Sequence, residues 1–78
     1  MRYLEITVPE GKRRAVLDVL EDAEEPMTAR EILDRLHERD VDAFETPYGV
    51  ATVLGQIEER GGPIDVSEGS PYRYRFVE

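Results

Sequence analysis

The sequence contains no cysteine and no tryptophan, and its single histidine is His37. Without cysteine the chain has no disulfide framework, no thiolate nucleophile and no cysteine-based metal site. His37 has no nucleophile or carboxylate at a recognisable catalytic spacing, so we expect a surface or boundary histidine. Asp40, Asp42 and Glu45 lack the central glycine of a calcium-binding loop and are interpreted as a solvated turn. The sequence therefore predicts a protein that is not an enzyme and that holds no cofactor or metal.

Long apolar segments are also lacking. No run approaches the roughly 20 residues of a membrane-spanning helix, and residues 1–8 alternate instead of forming the apolar block of a signal peptide. We therefore expect a soluble, cytoplasmic protein. The 78 residues suffice for one small domain, predicted to cover positions 1–78, and exclude a two-domain enzyme.

Basic residues are few and nearly all are arginine. The chain has 18 acidic and 10 basic side chains, a net charge of −8, and Lys12 is the one lysine. This composition resembles that of proteins from salt-accumulating halophilic archaea, in which concentrated salt screens the repulsion between acidic groups. The net charge disfavours a generally basic nucleic-acid or membrane binder. Because residues 18–45 hold eleven acidic and three basic side chains, a local basic surface elsewhere remains compatible with the sequence.

The N-terminal half predicts one strand and two helices. Residues 1–10 contain a predicted strand in which apolar and polar side chains alternate. Apolar residues then recur at helical spacing from Lys12 to about Ala23, which predicts a first helix. After a short extended piece, Thr28 and Glu31 fit a Thr-x-x-Glu capping box at the start of a second helix. The predicted inward positions of these helices are Val16, Leu17, Leu20, Ala23, Ile32, Leu33 and Leu36.

The C-terminal half predicts a third helix and a hairpin. Thr46 and Pro47 are typical of a helix N-cap and a first helical position, and Gly61-Gly62 provides a left-handed C-terminal stop. Two strands are predicted at Ile64–Ser67 and Tyr72–Val77, around a turn of glycine, serine and proline. The predicted inward positions of the third helix are Val50, Val53, Leu54 and Ile57.

This order of elements resembles a winged helix-turn-helix domain, with three helices in residues 12–60, a wing hairpin in residues 63–77 and an additional N-terminal strand. The segment Pro26–Leu36 resembles the start of the second helix in the MarR and penicillinase-repressor families of regulators. The segment Val50–Gly61 resembles their third helix, which commonly ends in a Leu-x-x-Leu-x-x-x-Gly-like pattern, here with Ile57 as the second apolar residue. The resemblance implies an α+β winged-helix fold and a DNA-binding transcriptional regulator.

The resemblance further implies that the third helix lies in the major groove of double-stranded DNA, with its exposed residues at base edges. Gln56 is suited to adenine, Thr52 to a thymine methyl group or a phosphate, and Tyr48 to the DNA backbone. The alternative is that Thr52 and Gln56 are ordinary solvated positions. The exposed face of this helix has no arginine or lysine, so the cations that neutralise phosphates must come from elsewhere.

Arg73 and Arg75 are the candidate phosphate-binding cations, because they alternate with aromatic residues in the last strand and project from its other face. The alternative is that they pair with acidic side chains. Arg13 and Arg14 are predicted to pair with aspartate or glutamate side chains on neighbouring elements, and a phosphate or an acidic partner is the alternative there. We expect the aromatic residues of the last strand to belong to the core rather than to stack on bases. These residues are Tyr72, Tyr74 and Phe76.

The sequence leaves the assembly of the protein open. The N-terminal strand needs a partner, because an exposed strand edge invites association. It either extends the wing sheet or pairs with its copy in a homodimer that also uses the first helix. The cation-free third helix leaves a second function open, a winged-helix module that binds a protein partner without contacting DNA.

Overall fold

The computed structural model describes residues 10–77. These residues form three helices and a small three-stranded antiparallel sheet, which confirms the predicted α+β class. The arrangement is compatible with a winged-helix-like topology. In chain order the elements are α1 (Glu10–Asp22), β1 (Met27–Thr28), α2 (Ala29–Glu38), α3 (Pro47–Glu59), β2 (Ile64–Ser67) and β3 (Arg73–Phe76).

The first helix, α1, begins at Glu10 and not at Lys12 as predicted. The prediction relied on the apolar period, and the polar first turn has no apolar residue to mark its beginning. Glu10, which the prediction assigned to the N-terminal strand segment 1–10, is therefore the first residue of α1, and the predicted strand itself lies outside the described residues. Val19, which the predicted inward positions omitted, is fully buried. The apolar face of α1 is thus broader than predicted.

Thr28 connects the sheet to α2. Its Oγ1 accepts a hydrogen bond from the Glu31 N–H at 3.1 Å, and the Glu31 carboxylate accepts one from the Thr28 N–H at 2.9 Å. This confirms the predicted capping box, which satisfies two N–H groups at the helix start. Thr28 is also the partner of Arg73 in the sheet. The start of α2 is therefore fixed next to β3.

β3 is the central strand of the sheet, in which the strand order is β1-β3-β2. Tyr74 is the partner of Met27 on one side and of Val66 on the other. The predicted extended piece before α2 is thus a third strand. Its two residues are too few to show a period in the sequence. Through this strand the hairpin is joined to the helices.

α2 and α3 end in the same hydrogen-bonding pattern. In α3 the Gly62 N–H donates to the Ile57 carbonyl at 2.8 Å, and in α2 the Val41 N–H makes the equivalent bond at 2.9 Å. The residue after each C-cap has a positive φ, 74° at Gly61 and 62° at Asp40. Both ends are therefore Schellman motifs. The predicted glycine stop of α3 is confirmed, and α2 has an aspartate in the corresponding left-handed position.

The start of α3 also matches the prediction. Thr46 is the N-cap, and its Oγ1 accepts a hydrogen bond from the Gly49 N–H at 3.3 Å. Pro47 lies in the first turn of α3. Backbone N–H groups there have no intrahelical acceptor, so the missing N–H of proline costs no hydrogen bond. These two local signals set the position of α3 in the chain, and with it the residues that α3 exposes.

The core lies between the three helices and one face of the sheet. All predicted inward positions of the helices are buried except Ala23, which is partly buried. The segment between α2 and α3 adds Phe44, and the Lys12 ammonium lies 5.4 Å from the centre of its ring. The buried apolar residues are Val16, Leu17, Val19, Leu20, Met27, Ile32, Leu33, Leu36, Phe44, Val50, Val53, Leu54, Ile57, Ile64 and Tyr74.

Candidate nucleic-acid interface

One side of α3 is polar and accessible. Tyr48, Thr52 and Gln56 are each four residues apart in the sequence, so they lie on the same side of the helix at successive turns. The Tyr48 side chain is 80% exposed, Thr52 is exposed and Gln56 is half-buried. These three residues are termed the α3 stripe. The stripe lies opposite the face of α3 that enters the core.

The Thr52 hydroxyl donates a hydrogen bond to the Tyr48 carbonyl at 2.9 Å. This bond holds the side chain against the helix and uses its one hydroxyl proton. The oxygen lone pairs and the methyl group remain available. Thr52 is therefore suited to accepting a hydrogen bond or to touching an apolar group such as a thymine methyl.

The charges of α3 favour an anion at one end of the helix. Its first turn contains no acidic residue, so no side-chain charge there offsets the positive end of the helix dipole. Its charged residues are Glu58 and Glu59, at the other end. The dipole and the side-chain charges of α3 itself therefore favour an anion near Tyr48 over one beyond Gln56.

Arg73 and Arg75 are both exposed on β3, while Tyr74 between them is 6% exposed. The predicted alternation is therefore confirmed, but the surroundings of the two arginines differ. Arg73 lies opposite Ser67, next to the hairpin turn, whereas Arg75 lies opposite Asp65. Arg75 also lines a hollow with acidic residues of α1 and of the segment that follows it. Within residues 10–77 neither arginine forms an ion pair, yet Arg75 has the more acidic surroundings.

An open groove separates the start of α3 from the hairpin. Its volume is about 520 Å³, within the range of ligand-binding clefts. Arg30 is the charged residue of its lining, and the rest is mainly apolar or aromatic. We term this feature the tyrosine groove. It is lined by Thr28, Ala29, Arg30, Pro47, Tyr48, Ala51, Pro71, Tyr72 and Tyr74.

Tyr72 lies at this groove and not in the core. Its side chain is 47% exposed, so the prediction that it belongs to the core is wrong, whereas Tyr74 is buried and Phe76 is partly buried. The reason is that β3 begins at Arg73, and Tyr72 lies beyond the last paired residue of the strand. Burial raises the pKa of the Tyr74 hydroxyl above its ordinary value, and the nearby Tyr72 and Glu58 raise it further.

Arg30 is a cation of this surface that the sequence analysis missed. It lies in the first turn of α2 and lines the tyrosine groove. Its ion pair with Asp34 is 3.7 Å long, with side chains 74% and 63% exposed, so the pair is weak. The one signal in the sequence is a cation in a first helical turn, where the helix dipole disfavours it.

The acidic residues line a different surface. A hollow of about 550 Å³ lies between the end of α1, β1 and α2, and it shares no lining residue with the tyrosine groove. Arg39 forms an ion pair with Asp22 beside it at 2.9 Å. Six of the eleven acidic residues in residues 18–45 line this hollow, and none of the six lines the tyrosine groove. The charged lining residues of this acidic hollow are Asp22, Glu24, Glu25, Glu31, Asp34, Arg35 and Glu38.

Of the three basic residues at the start of α1, Lys12 and Arg14 make local contacts. Arg14 forms an ion pair with Asp18 at 3.6 Å, so this arginine is paired as predicted, but its partner lies one turn along the same helix and not on a neighbouring element. The described part of the chain contains no carboxylate partner for Arg13. None of these residues lines the tyrosine groove.

His37 is exposed near the end of α2, with its Nε2 3.4 Å from the Phe44 carbonyl oxygen. Asp40 and Asp42 line the same shallow hollow. Across residues 10–77 no group of three or more histidine, aspartate or glutamate side chains is placed to hold a metal ion. The absence of enzymatic activity and of cofactors stays a prediction.

Comparisons with known proteins do not assign a family to this chain. No protein-family model, curated protein or solved structure matches it. The resemblance to the MarR and penicillinase-repressor families therefore stays a prediction. No helix in the described part of the chain is long and apolar enough to cross a membrane.

Proposed function

We propose that this protein is a winged-helix DNA-binding protein that regulates transcription in the cytoplasm and has no enzymatic activity. In this proposal α3 enters the major groove of double-stranded DNA, and the β2–β3 hairpin is a wing on the sugar–phosphate backbone. The element order and the sheet order β1-β3-β2 support the assignment, because they join a hairpin to a three-helix core through a short strand before α2.

The observation that carries the proposal is the position of the tyrosine groove. It is lined by Tyr48 of α3 and by Pro71 and Tyr72 of the hairpin. The start of α3 and the hairpin therefore face the same space. A duplex that touches the first turns of α3 also meets the hairpin, as winged-helix recognition requires.

The α3 stripe supplies groups that distinguish base pairs. The Gln56 amide both donates and accepts, and it matches the N6 and N7 positions of adenine in the major groove. Thr52 offers a methyl group and hydroxyl lone pairs, and Tyr48 offers a hydroxyl at the favourable end of the helix dipole. Sequence preference therefore rests on the stripe.

Phosphate neutralisation comes from few cations. Arg73 is exposed beside the hairpin turn with a serine as its cross-strand partner, Arg30 lines the tyrosine groove, and Arg75 is exposed but faces acidic neighbours. Each neutralised phosphate contributes about one unit to the slope of log affinity against log salt. The proposal therefore implies a shallow salt dependence, which suits function in concentrated salt.

The proposal is tested by following backbone amide signals by NMR while an isotope-labelled protein is titrated with duplex promoter fragments. We expect the amides of Tyr48, Thr52, Gln56 and Arg73 to shift together and those around Glu38, in the acidic hollow, to stay in place. The matched control is Arg35→Ala, an exposed arginine of that hollow, which should give the same pattern. Shifts confined to the acidic hollow, or no shifts at all, would contradict the proposal.

A protein-interaction module is the second candidate function. It is favoured by the exposed Tyr48 on a helix face without cations, because tyrosine is enriched and charge is depleted at the centres of protein interfaces. A stoichiometric protein complex that survives nuclease treatment and is lost in Tyr48→Ala would decide for this candidate. A complex that dissolves on nuclease treatment would decide for DNA.

A further inference from the structure

The tyrosine groove brings together the two large apolar side chains that are most exposed in residues 10–77. Tyr48 is 80% and Tyr72 is 47% exposed, and they come from different elements, the start of α3 and the end of the hairpin turn. Each displays part of an aromatic ring to solvent beside a proline, Pro47 or Pro71. Two accessible aromatic rings at one open groove favour a flat occupant that stacks.

The charge of the groove points to an anionic occupant. Arg30 is the one charged residue of its lining. The carboxylate of the neighbouring Glu31 accepts a hydrogen bond from the Thr28 N–H at 2.9 Å on the capping side of α2, and it forms no ion pair with Arg30. Asp34 approaches Arg30 only to 3.7 Å on an exposed surface, so an incoming phosphate can replace that contact.

We propose that the tyrosine groove binds an unpaired DNA nucleotide, with its base stacked on Tyr48 or Tyr72 and its phosphate on Arg30. The inference rests on the proposed function, since the occupant is DNA and Tyr48 belongs to both surfaces, but it adds a second kind of contact. Bases inside a duplex expose edges, not faces, so a tyrosine ring can stack only on a terminal or unpaired base. Stacking on aromatic side chains next to a cation is the usual mode for single strands.

Two other occupants use the groove less completely. A proline-rich peptide would pack on the aromatic rings but would bring no anion to Arg30. An acidic peptide would pair with Arg30 but would leave both tyrosines exposed. A nucleotide combines a flat ring with a negative charge, so it uses Arg30, Tyr48 and Tyr72 together.

The test measures fluorescence anisotropy with three labelled ligands in the same buffer. These are a blunt duplex, the same duplex with a short single-stranded overhang, and an oligothymidylate of about 15 nucleotides, a length typical of single-strand sites. We expect saturable binding of the oligothymidylate and at least about fivefold tighter binding of the overhang duplex than of the blunt one, the lower end of what one stacked base contributes. Binding should also quench tyrosine fluorescence, which is measurable directly because the chain has four tyrosines and no tryptophan.

Substitutions separate the contribution of aromatic stacking to DNA binding from the contribution of the Arg30 charge. Tyr48→Ala with Tyr72→Ala should abolish the advantage of the overhang, whereas the corresponding double phenylalanine variant should retain it because the rings remain. Arg30→Gln should weaken binding of the oligothymidylate and lower its salt slope by about one unit. Arg35→Gln, which removes an equal charge outside the groove, should change neither. Circular dichroism establishes that each variant is folded, and Arg30→Gln provides a readout that leaves the aromatic residues intact.

The outcomes distinguish this inference from the proposed function. Equal binding of blunt and overhang duplexes with no binding of oligothymidylate would overturn the inference and leave duplex recognition standing. Single-strand binding that survives the double alanine variant would overturn the groove assignment. Absence of binding to all three DNA ligands, together with binding of a proline-rich or polyglutamate peptide that is lost in the alanine variant, would overturn both proposals.

Discussion

Arg75 lies directly opposite Asp65 in the β2–β3 ladder, whereas Arg73, two residues earlier on the same exposed face, lies opposite Ser67. Residues directly opposite on one face of an antiparallel pair are close enough for their charges to interact. The field of Asp65 therefore offsets part of the positive charge of Arg75. Arg73 has no such neighbour in the ladder, and it is closer to the hairpin turn.

This difference predicts unequal effects on DNA binding. Arg73→Ala should weaken the affinity for all duplex sequences and lower the salt slope by about one unit, and Arg75→Ala should have a smaller effect. The double variant Arg73→Ala with Arg75→Ala should lose affinity broadly without changing sequence preference. The measurement is an anisotropy titration at several salt concentrations.

The matched control removes two arginines from other surfaces. Arg14 and Arg35 make exposed ion pairs with Asp18 and Glu38, and such pairs contribute little to stability. Arg14→Ala with Arg35→Ala should leave DNA affinity and salt slope unchanged. If the control variant and the wing double variant lose equal affinity, the wing assignment fails.

Gln56 is predicted to set sequence preference. Gln56→Ala should weaken binding to the preferred duplex by about 1 to 3 kcal/mol, the range for a good bidentate base contact, and should leave binding to random duplex nearly unchanged. Gln56 is a half-buried residue on the exposed side of α3. A competition titration of preferred against random duplex measures the ratio. A uniform loss on both duplexes would show that Gln56 does not contact bases.

Two glycines are predicted to respond oppositely to alanine. A Cβ at Gly62 would collide with the Ile57 side chain and lie 2.9 Å from its carbonyl oxygen, so Gly62→Ala should destabilise the fold. A Cβ at Gly55 would meet nothing within 4 Å, so Gly55→Ala should stabilise α3 by about 0.5 to 1 kcal/mol. Chemical denaturation of both variants measures the two signs. A stabilising Gly62→Ala would contradict the described end of α3.

The two Schellman motifs predict a reciprocal pair of variants. Asp40 occupies the left-handed position of α2 at φ 62°, and Gly61 occupies that of α3 at φ 74°. The left-handed region costs a residue with a Cβ about 1 kcal/mol or more, and an acidic group is unfavourable at a helix C-terminus. Asp40→Gly should therefore raise the free energy of unfolding by about 1 kcal/mol, and Gly61→Asp should lower it. Thermal denaturation of both variants gives the comparison, and the same sign for both would contradict the motif assignment.

Tyr74 predicts a loss of stability at high pH. Burial, with Tyr72 and Glu58 nearby, raises the pKa of its hydroxyl in the folded protein. Because the folded-state pKa is the higher one, the stabilising contribution is complete below the unfolded-state pKa of about 10 and is lost as the pH rises through the folded-state pKa. At near-neutral pH the free energy of unfolding of Tyr74→Phe should be similar to that of the unchanged protein. At alkaline pH the free energy of unfolding of the variant should fall less steeply. Identical pH profiles for the two proteins would contradict the burial of this hydroxyl.

The helix boundaries that follow local chemistry could be predicted from the sequence. Thr28 with Glu31, Thr46 with Pro47, and Gly61 each act within one helical turn, so neighbouring residues contain the whole signal. Only the start of α1 differs, because its first turn is polar. The buried positions of α2 and α3 could be predicted equally well, because burial of one helix face imposes a helical period on the apolar residues.

The tyrosine groove could not be predicted in the same way. It is lined by Arg30 of α2, Tyr48 of α3 and Tyr72 of the hairpin. No motif or spacing in the sequence indicates that these three residues lie close together. The exposure of Tyr72 depends on where the β3 ladder begins, and the pairing of Arg75 with Asp65 depends on the register of the hairpin. The exposed residues of one helix face could therefore be predicted from the sequence. The surface that they form together with the hairpin could be identified only from the three-dimensional structure.

The proposed function requires α3 and the hairpin to bind double-stranded DNA. Its most direct test is a fluorescence anisotropy titration of the full chain against random duplex and pooled promoter fragments, repeated from low to molar potassium chloride, because affinity at a single salt concentration is uninterpretable for a phosphate binder. We expect saturable binding that prefers some fragments, persists at high salt and has a shallow salt slope. Absence of binding at every salt concentration would contradict it and favour the protein-interaction module.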